Sequence, residues 1–440
     1  MSIRSIYQAG KHVLGRVAHV LARPVKRDRG SGGILIQPYR GYGSAEEVFL
    51  MGRVFRQHRV GTSLRTTASR RDLLDVVRRV LRRGVRDAVV EARFCGAGKS
   101  HSADESARAG ATARFRTDRD GYFRVHLRPE QRPVSDRLWH RIELQLIEPA
   151  ELADSQGARV HGEVFVPPPT AQRVVISDID DTVMYTGVVN KAKMMWRLFM
   201  QGPRSRVAFP GVASLYRALY AGPSGNELNP MLYVSRAPWS IYEVLQEFFL
   251  LQRIPIGPIL FLREWGISWK RPIPRRAEDH KLVLIRDMLR RYRDLPFVLI
   301  GDSGQHDPEI YAQVVQEFPG RVEAVYIRNV TRSADRVRAI EELAKQVLDS
   351  GSTLMLAADS FSMAQHAAEH GLIAAAALQE VLSEQDEETA PSSHSPIHEI
   401  KQATDEQTRQ AVERGELKET LEQETETDTP PNVTVESRER

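Results

Sequence analysis

The run Val174-Val-Ile-Ser-Asp178-Ile-Asp180-Asp181-Thr182 ends a short apolar stretch in a tight group of acids. Acids at 178 and 180 repel one another at a strand end, and water or a bound cation relieves that repulsion. Three later segments supply what such a site still needs. They are Ser235 after Met231-Leu-Tyr-Val, Lys281 opening a helix, and Gly301-Asp302-Ser-Gly-Gln-His-Asp307 after Pro296-Phe-Val-Leu-Ile. An ionised Asp178 can attack a phosphorus centre and form an aspartyl phosphate. A divalent cation neutralises phosphate charge and orients the in-line displacement. Asp178, Asp180, Asp302 and Asp307 are its candidate ligands, because carboxylates suit magnesium. Asp180 can also protonate the leaving oxygen and later activate water. Thr182 helps fix the turn beside the substrate, while Asp181 points away or braces the loop.

Ser235 precedes Arg236-Ala-Pro238-Trp and reads either as a phosphate seat at a helix start or as a plain N-cap. Arg236 faces substrate or solvent. A lysine at the start of a helix opposes the helix dipole, so Lys281 reads as a residue placed to balance phosphate and Asp178. Lys270, in a Pro-rich loop, is its rival. Asp307 binds metal through water or orients Lys281, and His306 reads as a ligand, a base or an exposed loop residue.

From Arg173 the pattern alternates strand and helix. Expected strands are Val174–Ser177, Met231–Val234, Pro258–Phe261, Phe297–Ile300, Val322–Ile327 and Thr353–Leu356. Expected helices include Ile241–Leu251, His280–Tyr292, Ala334–Leu348 and Phe361–His370. Fully apolar strands between helices predict a parallel α/β sheet, with the acids along the crevice at the strand C-termini. Residues 30–166 read instead as a β-rich, sandwich-like domain with period-two strands. Asp118-Arg-Asp-Gly121 predicts a hairpin between the strand at Phe115 and the strand at Phe123. One helix, Arg71 to Arg83, interrupts that domain. Gly96-Ala-Gly-Lys-Ser100 lacks the first glycine of a phosphate-binding loop, so no nucleotide site is expected there. Pro167-Pro-Pro169 is the linker to the α/β domain of residues 170–380.

The chain of 440 residues has ordinary apolar (41%) and charged (27%) content, and no apolar run approaches a membrane span. The N-terminus lacks a signal-peptide core, so the cytoplasm is the expected compartment. The single cysteine excludes an intrachain disulfide framework and a cysteine-based zinc site. From Val381 onward sixteen acids face six bases, so the net charge of +5 hides a basic body. Residues 384–440 read as a disordered acidic tail. Such a body suits an anionic partner, or is simply an Arg-rich solvated surface. Residues 1–29 place Ile3, Ile6, Val13, Leu14, Val17 and Leu21 at helical spacing among Arg and Lys. They predict a basic amphipathic helix that lies on an anionic membrane or docks on its own protein. No nucleic-acid partner is expected.

The phrases Asp178-Ile-Asp-Asp-Thr-Val, Tyr233-Val-Ser-Arg-Ala-Pro-Trp239, His280-Lys281 and Ile300-Gly-Asp-Ser-Gly-Gln-His-Asp-Pro-Glu-Ile-Tyr311 resemble the haloacid dehalogenase superfamily of phosphohydrolases. Within it they are similar to the catalytic-domain family of actin-patch-associated phosphatidate phosphatases, in a bacterial-type member. The resemblance covers roughly residues 170–370. It implies a haloacid dehalogenase-like, Rossmann-like fold and magnesium-dependent conversion of phosphatidate to diacylglycerol. The acids by themselves indicate only phosphoryl transfer. A phosphatase of a soluble phosphomonoester or phosphoprotein stays open as a second function. A non-catalytic phosphate- or metal-binding scaffold is a third, against which the intact Asp178, Asp180, Lys281 and Asp302 argue.

Overall fold

The computed structural model describes residues 34–56, 84–95, 111–130, 133, 137–152, 158–183, 208–236, 239–261, 277–389 and 433–434. The amphipathic segment 1–29, the helix expected at 71–83, the run 96–100, Pro238, Lys270 and most of the acidic tail lie outside these residues.

The N-terminal half is an eight-stranded sheet of β1 (Ile34–Pro38), β2 (Gly41–Gly43), β3 (Val48–Arg56), β4 (Val89–Phe94), β5 (Thr112–Arg116), β6 (Tyr122–Leu127), β7 (Trp139–Glu148) and β8 (Arg159–Phe165). The long β3 organises it. β1 pairs with residues 52–56 and β2 with residues 48–49, while β6 pairs with residues 48–53 on the opposite side. A parallel pairing of β2 with β8 leads on to β7, β4 and β5. Period-two alternation sends Val48, Leu50 and Val54, Val90, Ala92 and Phe94, and Ile142, Leu144 and Leu146 into one buried core.

The turn expected at Asp118–Gly121 is present. The Asp118 carboxylate accepts the amides of Asp120 and Tyr122 at 2.9 Å each, and Gly121 sits at φ +83°. The hairpin is not. β5 pairs with β4 and β6 with β3, so the turn is an arch between two neighbouring pairs. Turn chemistry fixes a reversal of direction but not which strand receives the ladder.

The second half is a seven-stranded sheet in the order β11-β10-β9-β12-β13-β14-β15. Its strands are β9 (Val174–Asp178), β10 (Met231–Ser235), β11 (Ile259–Phe261), β12 (Phe297–Asp302), β13 (Val322–Arg328), β14 (Thr353–Ala357) and β15 (Val433–Thr434). The first six are mutually parallel, and β15 is antiparallel to β14. Its helices are α1 (Val212–Ala221), α2 (Tyr242–Leu251), α3 (Ala277–Arg291), α4 (Asp307–Glu317), α5 (Ala334–Asp349), α6 (Ser360–Glu369) and α7 (Ala377–Thr389). Val175, Tyr233, Val298 and Tyr326 meet α1, α2, α6 and α7 on one face. Val174, Leu232, Leu299 and Val325 meet α3, α4 and α5 on the other.

β9, β10 and β12 each run one or two residues past the expected end, and so carry Asp178, Ser235 and Asp302 on the strands themselves. The tail expected to be disordered from 384 is helical as far as Thr389. Its acids have partners there. Glu384 accepts from Ser214 and Arg217, and Glu388 accepts the Gly211 amide at the start of α1 at 2.9 Å.

The two halves pack together. Tyr39 stacks on Trp239 with ring centroids 4.4 Å apart and lies 4.7 Å from Tyr242. Arg291 at the end of α3 lies over Phe49 and pairs with Glu47.

Candidate active site

Parallel pairing of β9 with β10 and β12 aligns Asp178 beside Val234 and places Asp302 one strand away. The chain leaves β9 through a tight turn. Val183 N donates to Ile179 O at 3.0 Å, and Asp181 takes φ +57°. Asp is one of the few residues that tolerate this left-handed conformation. Asp181 is buried rather than pointing away, and its charge raises the pKa of Asp302.

Lys281 closes the site. Its Nζ donates to Asp178 Oδ1 at 2.8 Å and to Asp307 Oδ1 at 2.5 Å, and all three side chains are fully buried. The lysine lies in the second turn of α3, not at its start, because Ala277-Glu-Asp-His280 contains no breaker and extends the helix upstream. The dipole conflict expected there is therefore absent, and the buried ion pairs alone mark the residue. Asp307 begins α4. Its other oxygen accepts the Asp302 amide at 3.2 Å. Gly301 permits this approach, since a Cβ there would lie 2.3 Å from Asp307 Oδ2.

One carboxylate oxygen from each of Asp178, Asp302 and Asp307 can be chosen so that all three lie within 4.8 Å of one another. Asp302 Oδ1 accepts the amides of Gly304 and Gln305 at 2.8 and 3.0 Å. Lys281 supplies one positive charge against these three acids. Burial, and then the charge of Asp307, push Asp302 up to about 7. Burial drives Asp178 well above the usual carboxylate range, against the pull of Lys281. Burial disfavours the Lys281 ammonium, but Asp178 and Asp307 outweigh it and raise its pKa. A dry cluster of hard oxygen donors with surplus negative charge fits a divalent cation such as magnesium.

Asp180 is oriented differently from its neighbours. Its carboxylate accepts the Arg236 amide at 3.4 Å, while its main-chain carbonyl accepts Gln305 Nε2 at 3.0 Å. The carbonyl thus faces Gln305 and the acid cluster, while the carboxylate is near enough for its charge to raise the pKa of Asp178. Ser235 is buried at the end of β10. The helix start expected beside it lies seven residues on, because a 3-10 turn at Trp239–Ile241 comes first and Ile241 caps α2. Among the described residues, Arg236 Nε and Nη2 are buried with no hydrogen-bond partner, and so is the Thr182 hydroxyl.

Sequence reasoning missed three residues that shape this site. Gln305 lies inside the Gly301–Asp307 phrase, where only the acids and His306 stand out by residue type. Arg336 holds the carbonyls of Ser303 at 2.9 Å and Gln305 at 2.6 Å and pairs with Glu309. Arg328 donates to Thr182 O at 3.1 Å and to Ser360 Oγ at 2.9 Å. Neither arginine has a sequence signal, since each acts from another element.

These features define a parallel α/β domain with a buried acid–lysine centre at the C-terminal ends of its strands. Residues 173–329 match the family model described as phosphatidate phosphatase APP1, catalytic domain. The chain is 31% identical over 169 residues to phosphatidate phosphatase APP1 of Saccharomyces cerevisiae, covering 38% of this chain and 28% of the yeast protein. It is 30% identical over 158 residues to an uncharacterised protein of Schizosaccharomyces pombe, covering 36% of this chain and 25% of that protein. The chain therefore spans about a quarter of the length of these relatives. The PilB minor pilin of Streptococcus sanguinis aligns at a TM-score of 0.24 and 8% identity, over 73% of this chain and 96% of the pilin. That likeness is too slight to bear on fold or function. The matched span stops before β14, α6 and α7, whose Met355, Met363, Ala367 and Val381 complete one of the two cores that flank the parallel sheet.

Proposed function

We propose that this chain is a magnesium-dependent phosphatidate phosphatase of the haloacid dehalogenase type, which releases phosphate from phosphatidate to give diacylglycerol. The observation that carries this reading is the fully buried Asp178–Lys281–Asp307 trio with Asp302 beside it, inside the span that matches the family model.

Asp178 is the nucleophile. One of its oxygens attacks phosphorus, the bond from phosphorus to the glycerol oxygen breaks, and an aspartyl phosphate forms. Lys281 opposes the effect of burial on Asp178 and so favours its ionised form. Asp180 gives its proton to the departing oxygen. It then takes a proton from water, which attacks phosphorus and breaks the bond to Asp178. Ser235, Arg236 and Thr182 line the approach and offer donors to phosphate oxygens. Asp178, Asp302, Asp307 and the Asp180 carbonyl are the groups that would hold magnesium, which when bound supplies charge neutralisation and orientation of the phosphoryl group. The matched family supports this substrate class. The anionic membrane expected to meet residues 1–29 belongs to this proposal.

Phosphate release from phosphatidate, lysophosphatidate and soluble monoesters, with magnesium or with excess chelator, tests the reading. Turnover of phosphatidate should need magnesium, and Asp178→Asn should abolish it while the protein stays folded. Release in excess chelator, or near-normal release by Asp178→Asn, would sink the mechanism. Preference for a soluble monoester would keep the chemistry and overturn the substrate.

A further inference from the structure

Gln305 has an unusual set of neighbours. Its Nε2 lies 2.6 Å from Asp302 Oδ2, 3.0 Å from the Asp180 carbonyl and 3.3 Å from Asp178 Oδ2. Three oxygens from three positions thus converge on one atom of a neutral side chain. Its other end, Oε1, is buried with no hydrogen-bond partner among the described residues. A buried acceptor left unmatched is costly, so one that persists calls for an explanation.

The distances suggest one. Oxygens held by magnesium at 2.0–2.1 Å in an octahedron lie about 2.9 Å apart along each edge. The three separations around the end of Gln305 bracket that value. The two ends of a carboxamide have nearly the same shape, so a half-turn about the last bond puts Oε1 where Nε2 stands without moving the rest of the side chain. Oε1 then joins the Asp178, Asp180 and Asp302 oxygens, and Nε2 takes the place that Oε1 left. The backbone around it is fixed for such a task, since Arg336 holds the Gln305 carbonyl and the Gln305 amide donates to Asp302.

We infer that Gln305 supplies a further, neutral oxygen ligand to the divalent cation of this site. The inference rests on the magnesium reading above. A neutral ligand adds an oxygen without adding charge to a cluster that already carries surplus negative charge.

Calorimetric titration of manganese or magnesium into the full chain tests this without any turnover. Unfolding in chelator checks that each variant is folded. Gln305→Ala should weaken cation binding by roughly tenfold or more, the scale of losses at the groups surrounding a metal. Gln305→Glu should bind at least as tightly as the parent chain, because it keeps an oxygen in place but has no N–H to donate. Unchanged or tighter binding by Gln305→Ala would overturn the inference. So would weaker binding by both variants, which would assign the amide an N–H role instead. Failure of the parent chain to bind either cation would overturn the metal reading along with this one.

Discussion

Burying Lys281 with two carboxylates is expensive, and its geometry leaves little slack. Removing one partner from a buried pair commonly costs about 3–5 kcal/mol, because the other charge is stranded. Gly301 is where that geometry is most easily disturbed. A methyl group at 301 would meet Asp307 Oδ2 at 2.3 Å and Asp307 Cβ at 2.7 Å, and neither can retreat without stretching the contact to Lys281. Gly301→Ala should therefore cut turnover by more than tenfold and lower the unfolding temperature, whereas the same change at Gly320, which has open space but sits at φ +72°, should lower the unfolding temperature through backbone strain alone and leave turnover unchanged. Equal activity in the two variants would show that the Asp307 contact tolerates displacement. At this scale the sequence was most informative about residue type. Asp178, Lys281, Asp302 and Asp307 were all singled out, and the fold brings them together. The Asp180 carbonyl and the Gln305 amide were not legible, because the direction a group faces depends on backbone turns that residue type does not encode.

Strands and helices were read well where burial is complete on both sides. β9, β10, β12, β13 and β14 are nearly unbroken apolar runs, so their limits fell within two residues of expectation. α1, α4 and α7 were not among the expected helices. α7 buries only Val381 fully, and its acids make it look like tail until Arg217 and the start of α1 are beside it. The arch at Asp118–Gly121 was misread for a related reason, since ladder partners are chosen by long-range packing. α5 contributes Arg336, whose guanidinium ties the Ser303–Gln305 loop to Glu309 on α4. Arg336→Ala should loosen that loop and raise the magnesium concentration needed for half-maximal turnover, with a change in stability of about 1 kcal/mol or somewhat more, since the pair is half-buried and two carbonyls lose their donor. Arg336→Lys should not restore it, since one ammonium cannot reach both carbonyls and the carboxylate. A metal requirement identical to that of the parent chain would remove Arg336 from the site.

Across the whole molecule, the β-rich half is part of how the α/β half holds its shape. β11 is the terminal strand of the parallel sheet, and its Phe261 packs on Trp239, which in turn stacks on Tyr39. Tyr39 belongs to the core of the α/β domain although it lies in the chain before β2. Trp239 sits four residues from Ser235, so the stack also anchors the chain close to the serine expected to meet phosphate. Tyr39→Ala should cost about 3–5 kcal/mol, as for other large aromatic truncations, and should reduce turnover from a distance. Tyr39→Phe should preserve both, because the ring makes the contact. Full turnover by Tyr39→Ala at temperatures where it is folded would make the two halves independent.

The parallel pairing of β2 with β8 has a consequence for the order in which the chain can be assembled as it is made. Tyr42 can pair at once with Phe49, but the other edge of β2 finds its partners only at Val164 and Phe165, more than a hundred residues later. Tyr39 and Arg40 wait longer still, for Trp239, Tyr242 and Gln246. A ribosome adding residues at about 5–20 per second thus holds the early aromatic residues uncovered for many seconds. During that interval the nascent β-rich half presents a sticky, unpaired surface, and its safe passage depends on what meets it before the second half arrives.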